Sequence, residues 1–364
     1  MRSELLGRWV GVVACCLAPW VVFAQTTAPG NGSFLPAPTP VPVTESRAPV
    51  ASEATESERS VAEWLLRMHE ASRKRDYIGT FVVSSGMGNL SSARIWHACE
   101  GEDQVERMEA LTGAPRTTFR RNNQVVTLLP DSKIAVMERR DSLGLFTNLL
   151  QSSGSAIPSL YTAKRLGRDR VAGYDADVVL LKPRDNLRYG YRIWSEKKSG
   201  LVVKLQTLDG KSKVLEQAEF SELQIDAPVR IDKLTQMMAN TNGYKIQKIA
   251  MTKTTALEEG WVLKTEVPGF QPLNCYRRQV SATQSAAPSD VSNGTLQWIF
   301  SDGLASVSLF VETFDPQRHL QPGYMALGAT QSLSLRNNDW WVTIVGEVPP
   351  RTLEAFARAL ERKN

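Results

Sequence analysis

Hydrophobic and polar positions alternate with a period of two along most of this chain, and Gly or Asn/Asp-rich turns punctuate the runs. The clearest case spans residues 188–220. Tyr189, Tyr191 and Ile193 alternate with Arg188, Gly190 and Arg192, and Lys198-Ser199-Gly200 interrupts them. Leu201, Val203 and Leu205 resume the pattern, Asp209-Gly210 breaks it again, and Val214, Glu216, Ala218 and Phe220 close a third limb. Successive side chains of a strand point to opposite faces, and Asp-Gly suits the tight turn between antiparallel strands. The stretch therefore predicts a three-stranded meander. Any antiparallel sheet could carry this pattern, so it gives architecture and leaves function open.

The same period runs upstream. Residues 77–85, 91–98, 104–111, 118–121, 124–129, 134–138, 160–166 and 174–182 read as short strands. Turns such as Gly86-Met87-Gly88-Asn89, Glu100-Gly101-Glu102-Asp103, Asn122-Asn123 and Pro130-Asp131 separate them. Residues 56–75 change period: Val61, Trp64, Leu65 and Met68 fall at i, i+3, i+4 and i+7. Ser57 or Ser60 can cap that helix, and Arg73-Lys74-Arg75 suits its C-terminal dipole. The narrow stripe points to packing on the sheet, with a membrane-surface role as the rival. Residues 143–150 read as a short apolar helix or loop.

From 226 to 253 the pattern weakens. Pro228 and Asn240-Thr241-Asn242-Gly243 suggest an inter-domain connection, with a short helix around 233–238. Gly269-Phe270 and Pro272 are loop-like; 296–300, 305–313, 326–335 and 340–347 read as strands. Asn337-Asn338-Asp339 makes a tight hairpin, and Leu353, Phe356, Ala357 and Leu360 stripe a terminal helix that starts at Pro349-Pro350. The expected class is α+β: a curved antiparallel sheet with packed helices, then a smaller α+β domain. The boundaries expected are 56–225, 226–253 and 254–364.

So long a meander must cover its inner face. Phe81, Val83, Trp96 (or its neighbour Ile95), Val126, Leu128, Tyr189 and Tyr191 are expected there. Either they fill an ordinary core or they line a cleft for an apolar ligand.

At 364 residues, 42% hydrophobic and 22% charged, the chain suits two globular domains. Residues 1–24 read as a signal peptide: Arg2 and Arg8, an apolar run from Trp9 to Val22, and Val22-Phe23-Ala24 before cleavage. A lipobox reading of Val12-Val13-Ala14-Cys15 is the rival, but it would cut the apolar run in half. Residues 25–55, rich in Pro, Thr, Ser and Ala, read as a disordered or extended tether. The net charge of +5 falls to +4 without the leader's two arginines and one glutamate. It contains no concentrated basic run, which argues against nucleic-acid binding. Cys99 and Cys275 are the two cysteines left after export, and an oxidising compartment favours a disulfide between them. His69, His97 and His319 have no metal-ligand spacing.

No serine elbow occurs, no Cys/His pair has a plausible setting, and Ser91 spoils the third Gly position of the GxGxxG beginning at Gly86. Glu106-Arg107 and Asp175/Asp177 lie beside turns, where charges are usually solvated. A binding protein is expected, not an enzyme, and neither metal nor cofactor.

Several segments resemble the RseB/MucB family. They are Tyr77-x-Gly79-Thr80-Phe81, Arg94-Ile95-x-His97, Glu106-Arg107 before Leu111-Thr112-Gly113, and Pro130-Asp131. Tyr189-x-Tyr191-x-Ile193-Trp194, Leu208-Asp209-Gly210 and Phe220 continue the match. Phe300-Ser301-Asp302-Gly303-Leu304 and the run from Val342 to Pro350 are the most specific parts. The resemblance covers about residues 60–364. It implies an unclosed, lipoprotein-carrier-like β half-barrel with helices in its mouth. It also implies a periplasmic negative regulator of the sigma-E envelope-stress response. Such a protein binds the periplasmic part of a membrane-spanning anti-sigma factor, shields it from proteolysis, and senses lipid, lipopolysaccharide or lipoprotein acyl chains. A periplasmic lipid or lipoprotein carrier is the alternative, and a homo-oligomer stays open.

Overall fold

In the computed structural model, residues 59–86, 88–139, 157–282 and 294–363 are described. The expected leader, the tether and the 143–150 element lie outside them. The first half holds α1 (Val61–Lys74), β1 (Tyr77–Ser85), β2 (Leu90–Glu100), β3 (Asp103–Ala110), β4 (Thr117–Arg121), β5 (Gln124–Leu129) and β6 (Ile134–Arg139). Then come α2 (Ile157–Leu160), β7 (Tyr161–Val171), β8 (Tyr174–Pro183), β9 (Gly190–Glu196), β10 (Val202–Leu208), β11 (Val214–Ile225) and α3 (Ile231–Ala239). The second half has β12 (Lys245–Lys253), β13 (Trp261–Leu263), β14 (Gln271–Ala282), β15 (Thr295–Ser301) and β16 (Ser306–Thr313). It ends with β17 (Gly323–Leu327), β18 (Thr330–Asn337), β19 (Trp340–Gly346), α4 (Pro350–Ala359) and β20 (Leu360–Arg362).

Among the described residues, eighteen strands form one open sheet. Its spatial order is β7-β8-β9-β10-β11-β1-β2-β3-β4-β5-β6, then β12-β14-β15-β16-β19-β18-β17. Every pairing is antiparallel except β6 with β12. The first eleven strands do not close into a barrel, because β7 pairs with β8 alone while β6 runs on into β12. The expected meander is β9–β11, with Leu205 between Ile193 and Ala218.

The start of α1 follows from a capping box. The Ser60 backbone N–H donates to Glu63 Oε2 at 2.6 Å, and the Glu63 N–H donates to Ser60 Oγ at 3.3 Å. Val61, Trp64, Leu65, Met68 and Ala71 then face the sheet and share one core with Tyr77, Phe81, Ile95, Ile193, Val203 and Phe220. Burying each large apolar side chain is worth about 1.5–3 kcal/mol, so this face and not helix propensity holds α1 in place. A second core lies under α4, where Leu353 and Phe356 meet Val307, Leu309, Val342 and Ile344.

Three stretches differ from expectation. Residues 226–253 hold the expected short helix, α3, but then continue into β12, an unexpected strand that makes the two halves one sheet. None of the β12 side chains is buried, so no apolar alternation marks it, and backbone ladders on both sides place it. Loop-like Pro272 lies within β14, next to a register shift that accommodates its missing N–H. The run expected as one strand over 326–335 is a hairpin, β17–β18, turned by Gly328 at φ 60.

Candidate functional site

The inner face of the first half is only partly apolar. Tyr77 pairs across β1 and β2 with His97, and His97 pairs with Glu106 on β3. Arg120 on β4 comes next, and β5 links it through Val125 to Glu138 on β6. These polar groups are buried. The Tyr77 and His97 rings stack with centroids 4.9 Å apart. His97 Nδ1 lies 3.1 Å from Glu106 Oε1, and Arg120 Nη1 donates to Glu106 Oε2 at 3.3 Å. Burial alone would raise the Glu106 carboxyl, but the His97 hydrogen bond and the Arg120 charge hold it below the usual value. Arg278 of β14 reaches Glu138 at 3.4 Å, so the row ends on the second half. The expectation that Glu106 is solvated is therefore corrected. Asp177 likewise is 3% exposed and bonded by Arg165 at 3.0 and 2.6 Å.

The seven residues expected to line one cleft lie in three places. Phe81, Val83 and Tyr191 belong to the core beneath α1. Trp96, Val126 and Leu128 face the other side of the sheet. There Leu234, Met237 and Met238 of α3 cover them, with Ala98, Val105 and Phe119 alongside. The parity of the ladder explains the division: Trp96 shares a cross-strand row with Arg107, Phe119 and Val126, whereas Ile95 belongs to the opposite face. Tyr189 sits apart, next to the second half, and shares a hydrogen bond with Gln331.

The expected disulfide is not formed: Cys99 and Cys275 are free. Cys99, at the end of β2, donates its thiol to Asp76 Oδ1 at 3.3 Å. Cys275 is buried in the core under α4. Burial, with Asp76 as second cause, pushes the Cys99 thiol up to about 11, and burial also pushes Cys275 up to about 11. Both shifts favour the protonated, less reactive thiol.

The densest chemistry lies on the seam between the halves. Arg188 has a fully buried side chain, and its Nε pairs with Asp302 Oδ2 at 2.7 Å. Asp185 also pairs with it, its Nη2 donates to the Pro268 carbonyl at 2.7 Å, and its guanidinium lies 4.8 Å from the centre of the Phe270 ring. Asp302 in turn accepts from Tyr161 Oη at 3.0 Å and from the N–H groups of Leu304 and Ala305. Thr352 of α4 donates to the Leu187 carbonyl at 2.7 Å. Gly269, at φ 77, leaves room that a Cβ would take from Arg188. A second group comprises Glu216, Glu347, Tyr189 and the turn at Gly328-Ala329. Burial, followed by the charges of Asp209 and Glu347, pushes the Tyr189 hydroxyl up to about 12.

Sequence reading missed Arg188, Asp302, Glu216 and Glu347 as functional residues. A signal was available for two of them: Asp302 and Glu347 lie inside the segments 300–304 and 342–350 that carry the most specific resemblance. Among the described residues no group of His, Cys, Asp and Glu could hold a metal, and no helix is long and apolar enough to cross a membrane.

Comparison with known proteins gives two family matches, the MucB/RseB N-terminal domain over residues 60–238 and the MucB/RseB C-terminal domain over residues 255–361. The chain is 29% identical over 313 residues to the sigma factor AlgU regulatory protein MucB of Pseudomonas aeruginosa, covering 82% of this chain and 90% of that protein. It is 24% identical over 300 residues to the sigma-E factor regulatory protein RseB of Escherichia coli, covering 82% and 89%. Among solved structures it resembles MucB in complex with MucA(peri), with a TM-score of 0.60 and 27% identity over 83% of this chain and 99% of that one. The Pseudomonas aeruginosa MucA/MucB complex gives a TM-score of 0.62 and 26% identity, again over 83% and 99%.

Proposed function

The chain belongs to the MucB/RseB family, and on that premise we propose that it is a periplasmic negative regulator of the sigma-E envelope-stress response. It binds the periplasmic part of a membrane-spanning anti-sigma factor and shields that segment from regulated proteolysis. The observation that carries this reading is the likeness, through both halves of the chain, to MucB in its complex with MucA(peri). A signal peptide cleaved after about Ala24 delivers the chain to the periplasm. The division at 226–253 separates a carrier-like lobe from a partner-binding lobe. A bare lipid carrier needs only the first lobe. Here the second is tied to it by the β6–β12 pairing and by the buried Arg188–Asp302 pair, which favours the regulator.

The first lobe senses lipid, lipopolysaccharide or lipoprotein acyl chains. Phe81, Val83 and Tyr191 supply the apolar surface, and α1 already occupies it. An acyl chain must therefore displace part of α1, at about 0.8 kcal/mol gained per buried methylene. Such a ligand releases the partner only by favouring the partner-free conformation. Lipopolysaccharide titrated into a complex of the mature chain with a fluorescent partner segment should lower the anisotropy to that of free segment. Unchanged partner affinity at saturating lipopolysaccharide would rule the sensing role out.

A further inference from the structure

The open sheet ends on two strands of opposite character. Among the described residues, β7 and β17 each pair with a single neighbour. β7 carries Lys164, Arg165, Arg168 and Arg170, and its ladder shifts register between Arg165 and Gly167. Charge and bulges are what keep an edge strand from pairing with other chains. β17 (Gly323–Leu327) has neither. No residue from 320 to 335 is charged, although 22% of the chain is. Leu320 and Met325, at 78% and 70%, are the most exposed large apolar side chains among the described residues, and Tyr324 between them is 56% exposed.

The ladder also says which backbone groups this edge offers. The two-residue turn Gly328-Ala329 closes β17 onto β18 with Leu327 opposite Thr330. Residues flanking such a turn exchange ladder hydrogen bonds, and along the strand bonded and non-bonded pairs alternate. Gly323, Met325 and Leu327 therefore turn their N–H and C=O groups toward β18, and Tyr324 and Ala326 turn theirs outward. The Ser332 hydroxyl, donating to the Met325 carbonyl at 3.5 Å, agrees with that alternation. The free edge is bounded on both sides: Pro322 has no N–H to give, and Gly328, at φ 60, turns the chain away.

We propose that β17 pairs with β17 of a second copy of this chain, antiparallel about a two-fold axis at Met325, so that the sheet runs from one molecule into the next. That register sets Tyr324 against the other copy's Ala326 and Gly323 against its Leu327, large opposite small at each pair. A Cβ at Gly323 would meet nothing within 4 Å, so the space that Leu327 needs is open. Both Tyr324–Ala326 pairs exchange their outward N–H and C=O groups, and Met325 meets its own copy at the centre. An axis at Tyr324 would oppose two tyrosines and set Pro322, which has no N–H, against Ala326. An axis at Ala326 would carry the Gly328 turn into the ladder. Beside the edge, Tyr324 Oη donates to Glu354 of α4 at 2.9 Å, and Arg351 and Arg358 lie about one turn to either side of Glu354. A two-fold copy therefore brings both signs of charge to that side and not a like-charged surface. A five-residue edge stays below the roughly 1,200 Å² of stable interfaces, so the pairing is reversible and depends on concentration.

Sedimentation velocity on the mature chain over a concentration series tests this. The wild type should pass from monomer to dimer as concentration rises. Because Met325 faces itself, Met325→Lys and Met325→Glu each set like charges face to face, and each should weaken dimerisation at least about tenfold. Mixing the two variants sets Lys against Glu and should restore the dimer. Met325 is exposed, so both variants should unfold as the wild type does. A wild type that stays monomeric throughout overturns the self-pairing, as does a dimer that Met325→Lys leaves intact, or a mixture no more dimeric than its components. If the chain stays monomeric and Met325→Lys weakens its binding of the anti-sigma segment instead, the edge belongs to that segment and the self-pairing is again overturned.

Discussion

Asp302→Asn removes one charge from the seam, together with one acceptor oxygen. The amide oxygen can stay in the place of Oδ1, which accepts from the Leu304 and Ala305 N–H groups, while its NH2 replaces Oδ2, which accepts from Tyr161 Oη. What is lost is the counter-charge to Arg188, in a pair whose two side chains are both at 0% exposure. Breaking a buried pair from one side costs about 3–5 kcal/mol, because a charge is left behind in a poorly polar site. Asp185 remains beside Arg188, with a 35% exposed side chain, so the expected loss is about 3 kcal/mol, the lower end. Denaturant unfolding followed by tryptophan fluorescence reads it, since Trp64 and Trp194 report the first core and Trp261 the second. Arg188→Met in a double-mutant cycle separates the pair from its surroundings: the two substitutions together should cost about 2 kcal/mol less than their sum. A loss under about 1 kcal/mol for Asp302→Asn, or simple additivity with Arg188→Met, would refute the claim that this pair locks the lobes together.

Two further outcomes are expected. Trp64→Ala should cost about 3–5 kcal/mol in the same denaturation assay, since the ring is 2% exposed in the core beneath α1, and an effect under about 1 kcal/mol would contradict that packing. Peptide mapping without reductant should find Cys99 and Cys275 each alkylated after unfolding. In the folded chain near pH 8 both should react roughly two hundredfold more slowly than an ordinary thiol, and a linked Cys99–Cys275 peptide would contradict the free pair.

Most strands were legible because side-chain burial and turn chemistry agree locally. The alternation of Tyr77, Gly79, Phe81 and Val83 appears unchanged in the burial of β1, and the break at Asp209-Gly210 is the β10–β11 turn. The stripe of α1 was legible for the same reason, through Val61, Trp64, Leu65 and Met68. What stayed hidden depends on distant partners. Lys245–Lys253 buries no side chain and becomes a strand only because β6 and β14 offer free backbone edges. Arg188 reads as an ordinary polar position in an alternating run, and its burial comes from Asp302 and Pro268 far along the chain. Glu106 reads as a surface charge until His97 and Arg120 are placed beside it on neighbouring strands. The expected greasy cleft failed as a single site for a related reason. Alternation assigns residues to a face within one strand, but which face of β2–β5 lies under α1 and which under α3 is set by register between strands.

In the proposed role, this two-lobed chain holds the periplasmic segment of an anti-sigma factor and keeps a protease from it. Calorimetric titration of the mature chain with that segment, followed by digestion of the same mixture with the site-one protease, measures both parts together. Binding should be saturable, and the segment should stay uncut while bound and be cleaved when free. No heat of binding, or cleavage at the same rate with and without the chain, would contradict it.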